Sequence, residues 1–184
     1  MAHLLTAVRL LLVAPSALLF WSSEPGGSYL PAVVVAIAIA TDFWDGIIAR
    51  ARGTASAAGM LFDHTSDFLF VTASLAGASA AGAVPIMLPV LVSIAFAHYV
   101  LDSYFLHRQK ALRMSRLGRR NGILYYVPLV VLALAHLPVT PDAAVGGLAG
   151  LAVVLSWVLV LTTLASIADR ALATVRPGPS ERLG

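Results

Sequence analysis

Four aspartates lie inside two strongly apolar stretches of this 184-residue chain. The first reads Asp42-Phe43-Trp44-Asp45-Gly46-Ile47-Ile48-Ala49-Arg50; eight residues later the second reads Gly59-Met60-Leu61-Phe62-Asp63-His64-Thr65-Ser66-Asp67. A carboxylate at membrane depth is costly unless something compensates its charge, and four close together also repel one another. A divalent cation is the usual remedy, because carboxylate oxygens are its natural ligands. Residue type alone therefore points to a metal site within a membrane protein.

The spacing sharpens that reading. Helix positions i, i+3, i+4 and i+7 share one face, which is the pattern of Asp42, Asp45, Gly46 and Ala49. Gly59, Asp63 and Asp67 follow i, i+4 and i+8. Each segment thus presents a carboxylate stripe with small residues beside it. Folded as an antiparallel pair across the Arg52–Ala58 loop, the two helices would gather all four carboxylates about 9–14 Å along the helices from that loop.

The elements that position these stripes follow from composition. The chain is 59% hydrophobic and 11% charged, with a mean hydropathy of +0.88. Those values belong to a polytopic membrane protein rather than an ordinary soluble domain. An all-α fold is expected, a single domain over residues 1–184 with six transmembrane helices at Leu5–Trp21, Tyr29–Arg50, Ala58–Ala81, Ile86–Leu106, Gly122–His136 and Ala143–Leu172. The N-terminal stretch has no basic start and no convincing cleavage site before Trp21, so it reads as an amphipathic lead-in continuing into the first span. The tail Arg176–Gly184, with Pro177 and Pro179, is expected to be mobile.

All twelve Lys and Arg residues fall on one side of this six-span arrangement: Arg9, Arg50, Arg52, the Arg108–Arg120 cluster, Arg170, Arg176 and Arg182. The opposite loops, Ser22–Ser28, Ala83–Pro85 and Leu137–Asp142, contain none. By the positive-inside rule both termini and the aspartates are expected to face the cytoplasm, and the plasma membrane is the expected location. The sequence pI near 9.7 is then a topology signal, with anionic headgroups or phosphorylated substrates as further beneficiaries. No nucleic-acid partner is expected, because the basic residues flank spans and form no separate domain. The absence of cysteine excludes disulfides and thiolate metal ligands. Small-residue spacings at Gly146-xxx-Gly150 and around Gly77–Ala81 favour close helix packing or dimerisation.

The pattern Asp42-x2-Asp45-Gly46-x2-Ala49-Arg50-x8-Gly59-x3-Asp63-x3-Asp67 resembles the signature of the CDP-alcohol phosphotransferases, with every fixed position present. The opening Leu4-Leu5-Thr6-Ala7-Val8-Arg9-Leu10 is similar to the lead-in of bacterial phosphatidylglycerophosphate synthases. This resemblance implies transfer of a phosphoalcohol from a CDP-linked donor to an alcohol, with release of CMP. It implies that Asp42, Asp45 and Asp63 bind divalent metal, two ions of Mg2+ or Mn2+. Asp67 would lie near the second ion as general base. Asp42, Gly46, Ala49, Arg50 and Gly59 would form the nucleotide site. A homodimer is implied as well.

The chemistry is coherent with the residues. Paired divalent ions neutralise a pyrophosphate and stabilise attacking and leaving oxygens, and Arg50 offers a fork of donors to phosphate. Glycines let a nucleotide approach helix backbone, and a carboxylate is a suitable base for a hydroxyl. CDP-diacylglycerol is the expected donor, since a lipid-linked nucleotide can enter sideways from the bilayer. Ser115-Arg116-Leu117-Gly118-Arg119 resembles the Ser-x-x-Gly-Lys stretch of phosphatidylglycerophosphate synthases. That makes glycerol 3-phosphate the leading acceptor, with Arg108, Arg113, Arg116, Arg119 and Arg120 as its phosphate ligands. Departures at Asn121-Gly122 and at His98-Tyr99 keep inositol phosphate, serine or a second lipid open.

Plainer roles compete at several positions. Intramembrane aspartates also line ion pathways, and a divalent-cation transporter is the non-enzymatic reading. Arg50 can serve as a snorkelling anchor, and the Arg108–Arg120 cluster as attraction to anionic lipid. His64, on a neighbouring face, suits packing or hydrogen bonding, His98 and His107 polar contacts near the end of the fourth span, Trp21 an interfacial anchor, and Trp44 a lipid-facing or packed position.

Overall fold

The computed structural model describes residues 2–51, 57–101 and 116–175. Among them every regular element is an α-helix: α1 (Ala2–Ser22), α2 (Leu30–Ala51), α3 (Ala57–Ala80), α4 (Met87–Leu101), α5 (Arg116–Leu124), α6 (Tyr126–His136) and α7 (Asp142–Val175). The expected lead-in and first span are one continuous helix, with Pro15 inside α1 on its exposed side. The fifth expected span is divided at Tyr125 into α5 and α6. Pro128 accounts for the break: it has no N–H to give Leu124, and its ring crowds that carbonyl. Residues 102–106 of the expected fourth span lie outside the described residues, as does the tail Arg176–Gly184.

The helices pack as a closed ring, α1–α2–α6–α7–α4–α3 and back to α1, with α5 joined to α6 and α7. One feature of that order governs the site. The helices α2 and α3, which carry the aspartates, touch each other only slightly, and α1 packs heavily against both. The expected antiparallel pair is therefore splayed, with the first helix between its members. α1 runs parallel to α3 because Arg9 meets Ser66, Ser16 meets Ser74, and Ala17 meets Gly77 in ascending order.

Gly77 makes that closeness available. A Cβ built there would collide with the backbone carbonyl of Ala17, so the small-residue spacing at Gly77 is used within the chain. Gly146 and Gly150 are open, with nothing within 4 Å of an added Cβ among the described residues. At its far end α3 stops in a Schellman turn, with Ala83 N–H donating to Ala78 O at 2.9 Å and Gly82 at φ +76°. The loop after α1 is tied to the end of α6 by Gly26 N–H to Ala135 O (2.9 Å) and Ser28 N–H to His136 O (3.0 Å).

Polar side chains gather inside the bundle and large apolar ones face outward. Thr6, Arg9, Ser16, Asp45, Ser66, Ser74, Asn121, Ser156 and Thr163 are buried. Large apolar side chains such as Leu11, Leu18, Trp21, Phe43, Trp44, Val154 and Leu161 face outward. Two stretches, Leu5–Ser22 and Asp142–Asp169, are long and apolar enough to cross a membrane, and Met87–Leu101 is a shorter apolar helix. Buried hydroxyls are served by their own helices, as in Thr41 to Ile37 O, Ser156 to Ala152 O and Thr163 to Leu159 O.

The α1–α3 seam should be intolerant of bulk. Gly77→Val forces backbone apart where no flexible side chain can yield, at a cost of about 1–3 kcal/mol. A thermal melt of detergent-purified protein should show the lowered midpoint, and Ala14→Val, on the exposed side of α1, should leave it unchanged.

Candidate active site

The site is built where α1 meets α2 and α3. Periodicity turns Thr6, Arg9 and Ser16 to one buried face of α1, and the α1–α3 seam sets the height of Arg9. The Arg9 side chain is fully buried, at 0% exposure. Its Nη1 lies 3.1 Å from Asp63 Oδ1 and 3.0 Å from Asp67 Oδ1. The same nitrogen donates to Ser66 Oγ at 3.3 Å, and Nη2 lies 3.4 Å from Asp42 Oδ1. Asp45, only 4% exposed, accepts from Thr6 Oγ1 at 3.1 Å through Oδ2. All four aspartates thus converge on two residues of α1, Arg9 and Thr6.

A cavity of about 480 Å³ opens beside the cluster. Asp42 and Asp67 form its acidic end, and Phe68, Phe96, Tyr99, Val92 and Ile167 are among its walls. Phe68 and Phe96 stack at 4.0 Å between centroids, nearly parallel. Asp67 Oδ1 also accepts from the Tyr126 hydroxyl at 2.8 Å, which fixes the carboxylate at the cavity wall. His64 lines the same space and meets Tyr99 edge-on at 6.5 Å, a packing role of the expected kind. His98 also lines it. Trp44 is outward-facing.

Gly46, Ala49 and Arg50 fall on the last two turns of α2 and Gly59 on the first turn of α3, the ends of these helices nearest the 52–56 connection. The Arg50 side chain lies outside the described residues. So do Arg108 and Arg113 entirely, and the side chains of Arg116 and Arg119, whose backbone belongs to α5. Arg120 is exposed on α5.

Thr6, Ser66 and Tyr126 carry no functional reading in the sequence, and Arg9 counts there mainly toward topology. A signal for Arg9 existed: an arginine within an apolar span, three residues after a threonine and seven before a serine, marks a polar inner face. Tyr126 had none, since only the tertiary fold brings α6 to α3.

The donor set suits a hard divalent cation. Carboxylate oxygens are its preferred ligands, and the buried Asp45 Oδ1 has no hydrogen-bond partner among the described residues. As the side chains stand, no three acidic or imidazole groups among the described residues are close enough to share one ion. The guanidinium of Arg9 lies between them instead. Asp42, Asp45, Asp63 and Asp67 therefore fit a metal in chemistry, with an arginine at the centre of the set.

The described residues thus form a helical bundle with apolar side chains outward and a carboxylate cluster at one end of a cavity. The sequence pattern of the CDP-alcohol phosphatidyltransferase family matches residues 1–169, and the chain belongs to that family. It is thereby a transferase of phospholipid biosynthesis, acting on a CDP-alcohol and an alcohol acceptor, in a membrane-associated family. Neither a curated protein nor a solved structure matches it.

Among the described residues Thr6 is the hydrogen-bond partner of the buried Asp45 carboxylate. Thr6→Val keeps the shape and removes the donor, leaving both oxygens of a buried carboxylate unserved. The cost should be about 1–3 kcal/mol, read as a lower melting midpoint in EDTA that Thr6→Ser restores.

Proposed function

We propose that the protein moves a phosphatidyl group from CDP-diacylglycerol to an alcohol, releasing CMP, at the cytoplasmic side of the plasma membrane. The observation that carries this reading is the convergence of Asp42, Asp45, Asp63 and Asp67 at the end of a cavity whose wall includes Asp67 itself. The acceptor oxygen forms a bond to the phosphatidyl phosphorus, the bond from that phosphorus to the bridging oxygen breaks, and the pair leaves with CMP. Asp67 takes the hydroxyl proton, and Tyr126 orients the carboxylate that receives it.

We assign Asp42, Asp45, Asp63 and Asp67 to two ions of Mg2+ or Mn2+, which when bound would neutralise the pyrophosphate and the departing charge. Gly46, Ala49, Arg50 and Gly59, with Asp42, are assigned to the nucleotide. They lie toward the loop end of α2 and α3. The ring of α1, α2, α6, α7, α4 and α3 supports the expected six-span topology. The open Gly146 and Gly150 face supports a homodimer through α7.

Glycerol 3-phosphate is the acceptor favoured by the Ser115–Arg119 stretch. The cavity walls favour a second acceptor, an alcohol carried on a lipid. Their described side chains are mostly apolar or aromatic, and the nitrogen bases among them are His64 and His98. Phosphate binding would come from Arg108, Arg113, Arg116, Arg119 or Arg120. CMP release from CDP-diacylglycerol by purified protein, with each alcohol in turn, decides between them. For a phosphorylated acceptor, Arg116→Gln or Arg119→Gln should raise the acceptor KM at least about tenfold, one lost charge-assisted contact, with the donor KM unchanged. Small, uniform effects across all five arginines would favour the lipid alcohol.

Metal dependence separates enzyme from bystander. CMP release should vanish in EDTA and return with Mg2+ or Mn2+, and Asp42→Asn, Asp45→Asn and Asp63→Asn should each abolish it. Asp67→Asn should stop transfer while donor affinity, measured by titration calorimetry, stays nearly unchanged; a collapse of that affinity would make Asp67 mainly a metal ligand. Full release of CMP in EDTA sinks the reading. Mn2+ flux through sealed vesicles without CMP chemistry would favour a transporter.

A further inference from the structure

We propose that Arg9 is the site's metal-free counter-ion: its guanidinium holds the place of a divalent cation among Asp42, Asp63 and Asp67 and is exchanged for that cation when it binds. The inference rests on the metal reading above and deepens it, by assigning to a residue of α1 control over how tightly the site takes its ion.

Three observations carry it. First, one nitrogen of Arg9, Nη1, lies 3.1 and 3.0 Å from oxygens of Asp63 and Asp67 at once. An ion coordinating both oxygens at the usual distances of about 2.0–2.6 Å would have to lie in the space which that nitrogen fills. Second, the arginine is poorly served as a hydrogen-bonding group. Its Nε and Nη2 are buried and find no hydrogen-bond partner among the described residues, although Asp42 Oδ1 is 3.4 Å from Nη2. A guanidinium held for structure alone would be expected to use its fork of donors. Arg9 is held chiefly by charge, which another cation supplies equally well. Third, the charges do not close. Among the described residues one guanidinium faces four carboxylates, and the buried Asp45 Oδ1 has no hydrogen-bond partner. The cluster is built for more positive charge than Arg9 brings.

A way in and a way out both exist. The Asp42 side chain is 44% exposed, so an ion reaches the cluster from that side. A divalent ion a few ångströms from a guanidinium repels it strongly in a weakly polar interior, and four flexible side-chain bonds let Arg9 move without moving α1. In the metal-free protein the arginine keeps four carboxylates from driving α2 and α3 apart.

The test uses the full chain in detergent, stripped with EDTA and without substrate, and Mn2+ as the probe. Mn2+ binding is measured by titration calorimetry, and stability by thermal melting with and without Mn2+, for wild type, Arg9→Gln, Arg9→Lys and Asp63→Asn. Arg9→Gln should melt at least about 6 °C lower than wild type when metal-free, since it strands buried carboxylates. It should bind Mn2+ at least about tenfold more tightly, because the competing charge is gone, and Mn2+ should restore its melting point. Asp63→Asn should bind Mn2+ more weakly. If Arg9→Gln yields no folded protein even with Mn2+, Arg9→Lys carries the test. A lysine makes one compact contact instead of a bridge, and its Mn2+ affinity should rise about threefold; no rise overturns the proposal. Wild-type Mn2+ binding that is lost in Asp63→Asn but equal or weaker in Arg9→Gln overturns exchange and leaves the metal reading standing, with Arg9 a permanent member of the site. No Mn2+ binding by either wild type or Arg9→Gln removes both.

Discussion

A carboxylate removed from water needs a countercharge within a few ångströms, and the arrangement of α1, α2 and α3 answers that need. Four carboxylates on two helices cannot face one another directly without strong repulsion. The fold inserts a third helix between them and places its single arginine at the level of Asp42, Asp63 and Asp67. The height of that arginine is set two turns away by Ser16 against Ser74, and by Gly77 against the Ala17 backbone. A close-packed seam of small residues thereby governs the electrostatics of a site that it never touches.

The rest of the molecule follows from the medium. In lipid there is little to gain from hiding apolar side chains, so helices associate through close approach and satisfied polar groups. The buried residues accordingly include many serines and threonines, whose hydroxyls bond to carbonyls of their own helices or to another hydroxyl, as Thr163 does with Tyr125 at 2.8 Å. The outward leucines, valines and tryptophans cost nothing there. The same inversion gives an apolar chamber ending in two carboxylates, which suits the proposed meeting of a lipid-borne substrate with phosphate chemistry.

Asp67 links the two halves of the proposed chemistry. It is one of the carboxylates gathered on Arg9, and it is also the cavity wall, held by the Tyr126 hydroxyl. Asp45 has the opposite character, buried away from the cavity and bonded to Thr6. Two aspartates of one motif thus occupy unlike surroundings, which suits one to hold charge and the other to exchange a proton.

Helical class and the placing of the helices along the chain were legible in the sequence, because 3.6-residue periodicity and hydropathy are local properties of the chain. The grouping of Asp42 with Asp45, and of Asp63 with Asp67, needs only a helix. Pro128 could have marked the break between α5 and α6, but a proline in a membrane helix is often tolerated, so its effect depends on neighbours. The wedge of α1 between α2 and α3, the meeting of Arg9 with aspartates more than thirty residues away, and the bond from Tyr126 to Asp67 were decided by tertiary structure alone. Each depends on which helices become neighbours in the ring, and no periodicity within one helix carries that information. Sequence by itself determined which residues are costly to bury; only the packed bundle determined what compensates them, because compensation is a matter of distance between helices.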